Sequence, residues 1–146
     1  MKKNCDIKNT SECAGDIAAI LLSGRQEKRA TVIGLKGDLG SGKTTFTKAL
    51  AKKLGVADTV LSPTFVIEKI YKLPAGKPFR HLIHIDAYRL DSAEELRALG
   101  WDEILSEPKN LIVIEWPERV KKLLPKGSFE VKFKFIDDRT REISWK

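Results

Sequence analysis

Apolar residues along the chain change their spacing several times, and each change marks an element. Between residues 11 and 23, Cys13, Ile17, Ile20 and Leu21 recur at helical intervals and share one face. Thr10 or Ser11 is placed to cap that helix, and Gly24 ends it. Ala30-Thr31-Val32-Ile33-Gly34-Leu35 is short, apolar and β-branched, which predicts a buried strand. Phe46, Leu50 and Leu54 return to helical spacing, with Gly55 following as a C-cap. Residues 65–73 are rich in β-branched and aromatic side chains and read as a strand. Pro74-Ala75-Gly76-Lys77-Pro78 is a turn signal, and residues 81–86 form a returning strand. So short a connection makes the two strands an antiparallel hairpin.

The second half continues in the same manner. Ser92-x-x-Glu95 reads as a capping box for a short helix through Leu99, and Gly100 stops it. Residues 101–105 begin another helical turn. Leu111-Ile112-Val113-Ile114 is unbroken apolar sequence, the mark of a central strand buried on both faces. A short helix is predicted over residues 120–124. Phe129, Val131, Phe133 and Phe135 then alternate with Glu130, Lys132 and Lys134. Asp137-Asp138 turns the chain, and Ile143 and Trp145 alternate with Glu142 and Ser144, completing a C-terminal hairpin. No repeat, linker or low-complexity segment interrupts this order. The pattern predicts an α/β fold with a mixed parallel and antiparallel sheet, one domain over residues 1–146.

Bulk composition narrows the class. A chain of 146 residues, 42% hydrophobic and 32% charged, suits a soluble domain with one sizeable core. No apolar run is long enough to span a bilayer, so no membrane role is expected. Met1-Lys2-Lys3-Asn4 is not followed by an apolar signal core, which points to a cytoplasmic protein. The two cysteines, Cys5 and Cys13, lack C-x-x-C spacing and are expected to be reduced. His81 and His84, three residues apart on a strand, point to opposite faces and make a poor metal pair. The net charge of +7 permits nucleic-acid binding without establishing it. Its densest region, Lys121, Lys122, Lys126, Lys132, Lys134, Arg139 and Arg141, alternates with apolar residues as a solvated strand face does.

Candidate chemistry gathers around Gly37-Asp38-Leu39-Gly40-Ser41-Gly42-Lys43-Thr44-Thr45, which fits the phosphate-binding pattern G-x-x-x-x-G-K-[ST]. Glycines let successive N–H groups turn toward phosphate oxygens, and the following helix adds its N-terminal dipole. Asp38, Leu39, Gly40, Ser41, Gly42, Lys43, Thr44 and Thr45 are therefore the candidate nucleotide ligands. Lys43 supplies charge to the outer phosphates, and the Thr44 hydroxyl suits magnesium. The motif sits between a predicted buried strand and a predicted helix, as it must, so the expected architecture is a P-loop NTPase-like three-layer sandwich.

Such a site also needs a carboxylate at the end of a buried strand. Glu115, directly after Leu111-Ile112-Val113-Ile114, is placed to serve the metal. Asp86 follows Leu82-Ile83-His84-Ile85 in the same way. It is a candidate to assist the metal, to position a water, or simply to pair with Arg89; its strand direction is open, because the second strand of a hairpin is free to run the other way. Ser62-Pro63-Thr64 is either a γ-phosphate-sensing segment or an ordinary turn before a strand. Trp116 borders the carboxylate, and Trp101 suits the core or an interface.

Taken together, the loop ending in Phe46, Ser62-Pro63-Thr64-Phe65, His84-Ile85-Asp86-Ala87-Tyr88-Arg89-Leu90 and Ile114-Glu115-Trp116-Pro117-Glu118 resemble the TsaE family, the YjeE-type ATPases of bacterial tRNA threonylcarbamoyladenosine biosynthesis. The blocks match in order and spacing over nearly the whole chain. The resemblance implies a cytoplasmic ATPase that binds ATP and Mg2+ and works with TsaD and TsaB on the adenosine beside the anticodon, its hydrolysis supporting repeated turnover, with tRNA met through the complex. It also implies that Lys43 and the loop bind phosphate, that Thr44 and Glu115 serve the metal, and that Asp86 and Thr64 are catalytic or switch residues. Ala87, where a larger apolar residue is common, and the charged Lys36 before the loop are small departures.

Two rivals stand beside this reading. A small-molecule kinase would need an acceptor pocket and an arginine-bearing lid, for which the chain has little spare length. A non-hydrolysing nucleotide-gated binding module, or a direct tRNA binder, would keep the loop alone. No N-K-x-D guanine-reading motif occurs. No obvious arginine finger completes the site in cis, Arg89 being the nearest candidate, so weak activity without partners is expected.

Overall fold

The computed structural model describes residues 9–24, 27–57 and 67–146, together with the backbone of residues 2–6. The elements run β1 (Lys2–Asp6), α1 (Thr10–Ser23), β2 (Thr31–Lys36), α2 (Lys43–Leu54), β3 (Glu68–Lys72) and β4 (His81–Asp86). A 3₁₀ turn (Ala87–Arg89), α3 (Ala93–Ala98), α4 (Trp101–Ser106), β5 (Asn110–Glu115), a second 3₁₀ segment (Pro117–Leu123), β6 (Phe129–Phe135) and β7 (Thr140–Trp145) follow.

The strands form one seven-stranded sheet in the order β1-β7-β6-β2-β5-β4-β3. Its middle is parallel: β2 pairs with β5 and β6, and β4 pairs with β5. Its flanks are antiparallel, β3 on β4 at one edge, β7 on β6 and β1 on β7 at the other. The continuous apolar run at 111–114 is what a central parallel strand requires, and every residue of β5 is buried. Alternation then splits the core. Leu111 and Val113, with Ile33, Leu35, Leu82 and Val131, pack under α1 and α2. Ile112 and Ile114, with Val32, Ile83 and Ile85, pack against Leu96, Trp101 and Val120 on the opposite side. The result is the predicted three-layer α/β sandwich with a mixed sheet.

Several local expectations shift. The buried stripe of α1 is Cys13, Ala14, Ile17, Ala18 and Leu21, and Ile20 is 43% exposed, because two alanines complete the stripe and leave it on the flank. The helix begins at Thr10 with Asn9 in the capping position, so neither Thr10 nor Ser11 is the cap. The capping box of α3 is incomplete: Glu95 accepts from the Asp91 N–H at 3.2 Å, and the Ser92 side chain makes no capping bond. The helix predicted over 120–124 is a 3₁₀ segment from Pro117 to Leu123, broken at Val120. Phe135 lies past the covered part of its hairpin and is 52% exposed. Cys13 is disulfide-bonded, contrary to the expectation of reduced thiols; the two cysteines fall on adjoining elements, β1 and α1. Among the described residues, no helix is long and apolar enough to cross a membrane.

Candidate nucleotide site

The phosphate loop fills the gap between the end of β2 and the start of α2. Close approach demands glycine at its first position: a Cβ on Gly37 would lie 2.6 Å from Ser41 Oγ and 2.9 Å from Phe133 Cβ. At its other end Gly42, with φ 98°, turns the chain into α2 through left-handed backbone. Lys43 is buried, and its Nζ donates to the carbonyls of Gly37 and Asp38, the latter at 3.1 Å. The same ammonium lies 4.0 Å from the centroid of the Trp116 ring. Burial pulls the Lys43 pKa below its ordinary value, and Glu115, Glu118, Asp86 and Asp38 oppose that pull.

The register of the parallel strands places the two candidate carboxylates side by side. Asp86 is the direct partner of Glu115 across β4 and β5. The β3–β4 hairpin is antiparallel as predicted, but it is β3 that runs backwards, so β4 delivers Asp86 to the same end as Glu115. Glu115 is buried and held at both oxygens. Thr44 Oγ1 donates to Oε1 at 3.2 Å, and His84 Nε2 lies 2.8 Å from Oε2. Asp86 is looser. Its Oδ1 accepts the Tyr88 N–H at 3.0 Å, and burial raises its pKa above the usual carboxylate range, with neighbouring Glu115 adding to the rise.

Around these groups lies a cavity of about 450 Å³ that takes in the loop from Leu39 to Thr45, Asp86, Tyr88, Arg89, Glu115 and Trp116. Of the predicted ligands, Gly40, Ser41, Gly42, Lys43, Thr44 and Thr45 line it, with Leu39, which is 70% exposed. Asp38 is the exception: its carbonyl turns inward to Lys43 and the Ser41 N–H, and it does not line the cavity. Trp116 takes left-handed backbone (φ 60°, ψ 51°), the one non-glycine residue among those described with positive φ. That turn sets its ring 5.1 Å from the Tyr88 ring as well as beside Lys43. A second cavity of about 120 Å³ lies on the other flank of the loop, between Gly40, Thr45, Thr10 and Arg141.

Thr64, with the whole Ser62-to-Phe65 block, lies outside the described residues. Trp101 belongs to the core, its Nε1 donating to the Leu123 carbonyl at 3.2 Å. Lys36 pairs with Glu130 at 2.7 Å, which accounts for a charge at that strand end. Sequence reasoning missed two residues. His84 is fully buried behind Glu115; its place two residues before Asp86, hence on the same strand face, was the available signal. Arg141 donates to the Gly40 carbonyl at 3.3 Å from β7, a contact across about a hundred residues that no local pattern announces.

The donor set suits magnesium. A threonine hydroxyl and two adjacent carboxylates are hard oxygen ligands, and the one nearby imidazole is already engaged with Glu115.

Comparison with known proteins agrees with this geometry. The family described as "Threonylcarbamoyl adenosine biosynthesis protein TsaE" matches residues 6–143. The chain is 40% identical over 116 residues to the tRNA threonylcarbamoyladenosine biosynthesis protein TsaE of Rickettsia typhi, covering 79% of this chain and 76% of that protein. It is 38% identical over 121 residues to the Bacillus subtilis protein of the same name, covering 81% and 70%. The crystal structure of Bacillus subtilis YdiB superposes with a TM-score of 0.74 at 30% identity, covering 99% of this chain and 83% of that one. A phosphate loop facing paired strand-end carboxylates, on a sheet shared with a solved relative and over a sequence matched almost end to end, makes this chain a member of the TsaE family.

Proposed function

We propose that this chain is a single-domain, magnesium-dependent ATPase of tRNA threonylcarbamoyladenosine biosynthesis, working in the cytoplasm with TsaD and TsaB partners that raise its activity. The observation that carries the reading is the bond from Thr44 Oγ1 to Glu115 Oε1, with Asp86 alongside in register. It joins the helix start that would take the phosphates to the carboxylate that would serve the metal.

The loop N–H groups and the N-terminus of α2 bind the phosphate oxygens. Lys43 leaves its carbonyl partners for the outer phosphates; its neighbouring carboxylates favour the charged form it needs there. Thr44 and Glu115 would hold magnesium, which supplies electrostatic stabilisation of the transferring phosphoryl group. Asp86, beside Glu115 and half-buried, accepts a hydrogen bond from an attacking water and orients it. Trp116 and Tyr88 wall the cavity. Thr64 is proposed as the hydroxyl that senses the γ-phosphate.

The test is phosphate release from Mg-ATP with and without TsaD and TsaB, beside fluorescent-nucleotide binding. Lys43→Ala is expected to lower nucleotide affinity by about a hundredfold or more. Transfer of phosphate to a small acceptor instead of water would overturn the ATPase reading. Steeply salt-dependent tRNA binding by the isolated chain would overturn the indirect role of tRNA.

A further inference from the structure

His84 has no exposed surface, yet it is not an ordinary core residue. It lies on β4 opposite Val113 and on the same strand face as Leu82, among apolar neighbours under α1 and α2. A leucine or phenylalanine would fill such a position at no polar cost. The imidazole instead leaves Nδ1 buried with no hydrogen-bond partner among the described residues. An unsatisfied buried nitrogen is unfavourable, so the ring is retained for what its other nitrogen does. That nitrogen, Nε2, sits 2.8 Å from Glu115 Oε2. With the Glu115 oxygen as acceptor, Nε2 is the donor.

The two oxygens of Glu115 therefore have different duties. Oε2 is taken by His84, and Oε1 stands beside the Thr44 hydroxyl at the start of α2. We propose that His84 is a positioning residue: it fixes the Glu115 carboxylate so that Oε1, beside the Thr44 hydroxyl, is the edge offered to a divalent cation. The contact is diagonal across β4 and β5, between a residue paired with Val113 and one paired with Asp86, so it is set by strand register and needs no flexible segment. Partners of this kind set metal affinity by holding the ligand in one rotamer. The inference rests on the proposed magnesium role of Glu115.

The experiment is a titration of the full chain with fluorescent ATP analogue, first in chelator and then at rising Mg2+. His84→Leu is expected to leave affinity in chelator unchanged and to weaken the Mg2+-dependent gain by about tenfold to a hundredfold in Mg2+ concentration. His84→Gln, whose amide N–H reaches the Nε2 position, is expected to restore that gain. Should the leucine variant fail to fold, His84→Asn, whose shorter amide stops short of Oε2, takes its place. An unchanged Mg2+ dependence in the leucine or asparagine variant overturns the proposal, as does a glutamine variant no better than leucine at equal thermal stability. Glu115→Gln separates the two levels. Loss of the Mg2+ gain there, with the gain kept in His84→Leu, sinks the positioning role alone; retention in Glu115→Gln sinks the metal assignment.

Discussion

The ends of β4 and β5 carry a carboxylate each, in direct register, and the two are held in opposite ways. Glu115 is buried and bonded at both oxygens, by Thr44 and His84. Asp86 is half-buried, accepts one backbone N–H, and has its pKa raised by burial. Equal position on adjacent strands has not produced equal chemistry. What differs is the supporting structure: α2 and a core imidazole brace Glu115, and a single 3₁₀ turn carries Asp86. A braced carboxylate suits a fixed metal. A loosely held one with a raised pKa suits a group that meets a moving water or proton.

The largest expected break in this comparison is Glu115→Gln. Removing the charge while keeping the shape is expected to lower partner-stimulated hydrolysis by about 10²- to 10³-fold, with nucleotide binding in chelator preserved. Single-turnover phosphate release beside fluorescent-nucleotide binding checks it. A parental rate would show that the bracing serves the fold alone.

Asp86→Asn is expected to lower hydrolysis by about a hundredfold and to have the opposite effect on stability. The folded pKa of Asp86 lies above its unfolded value, so the stability it contributes is fully present below the unfolded pKa and is lost as pH rises through the folded one. At neutral pH its ionised form is therefore held at a cost. The asparagine, which still accepts the Tyr88 N–H, removes that cost. Thermal melts are expected to show a higher Tm for Asp86→Asn at neutral pH, with the gain shrinking as pH falls through the raised pKa. A lower Tm at neutral pH would mean that Asp86 is braced as Glu115 is.

This contrast also marks how far the sequence was legible. The run at 111–114 and the alternation at 129–135 demanded a buried central strand and a half-covered one, and both are present because burial follows side-chain period. The loop glycines were legible because Gly37 has no room for a Cβ and Gly42 needs left-handed backbone. Strand direction was not. A hairpin at 68–86 states only that its strands oppose each other, and which of them runs with β5 depends on pairing about thirty residues away. The same holds for His84, whose role lies in a cross-strand partner, and for Arg141, which reaches Gly40 from the far hairpin. The start of α1 was misplaced because Asn9, Thr10 and Ser11 read alike as caps, and Ser92 takes its predicted cap position without its side chain making the bond.

The smallest expected effect sharpens the comparison where the two strands end. β4 leaves Asp86 through a 3₁₀ turn of ordinary backbone, but β5 leaves Glu115 through Trp116 in left-handed backbone. For a residue with a Cβ that conformation costs about 1–2 kcal/mol. Here it sets the indole 4.0 Å from Lys43 Nζ and 5.1 Å from the Tyr88 ring. Trp116→Ala loses both ring contacts and keeps the backbone cost. Trp116→Gly loses the same contacts and sheds that cost. Urea unfolding is therefore expected to find the glycine variant more stable than the alanine variant by roughly 1 kcal/mol, less the entropy glycine loses on folding. Both variants should bind nucleotide more weakly than the parent by a similar, few-fold factor, since the ring that helps aim Lys43 is gone from each. An alanine variant as stable as glycine would show that the turn after β5 relaxes once the indole is removed, so that the left-handed backbone no longer distinguishes the two strand ends.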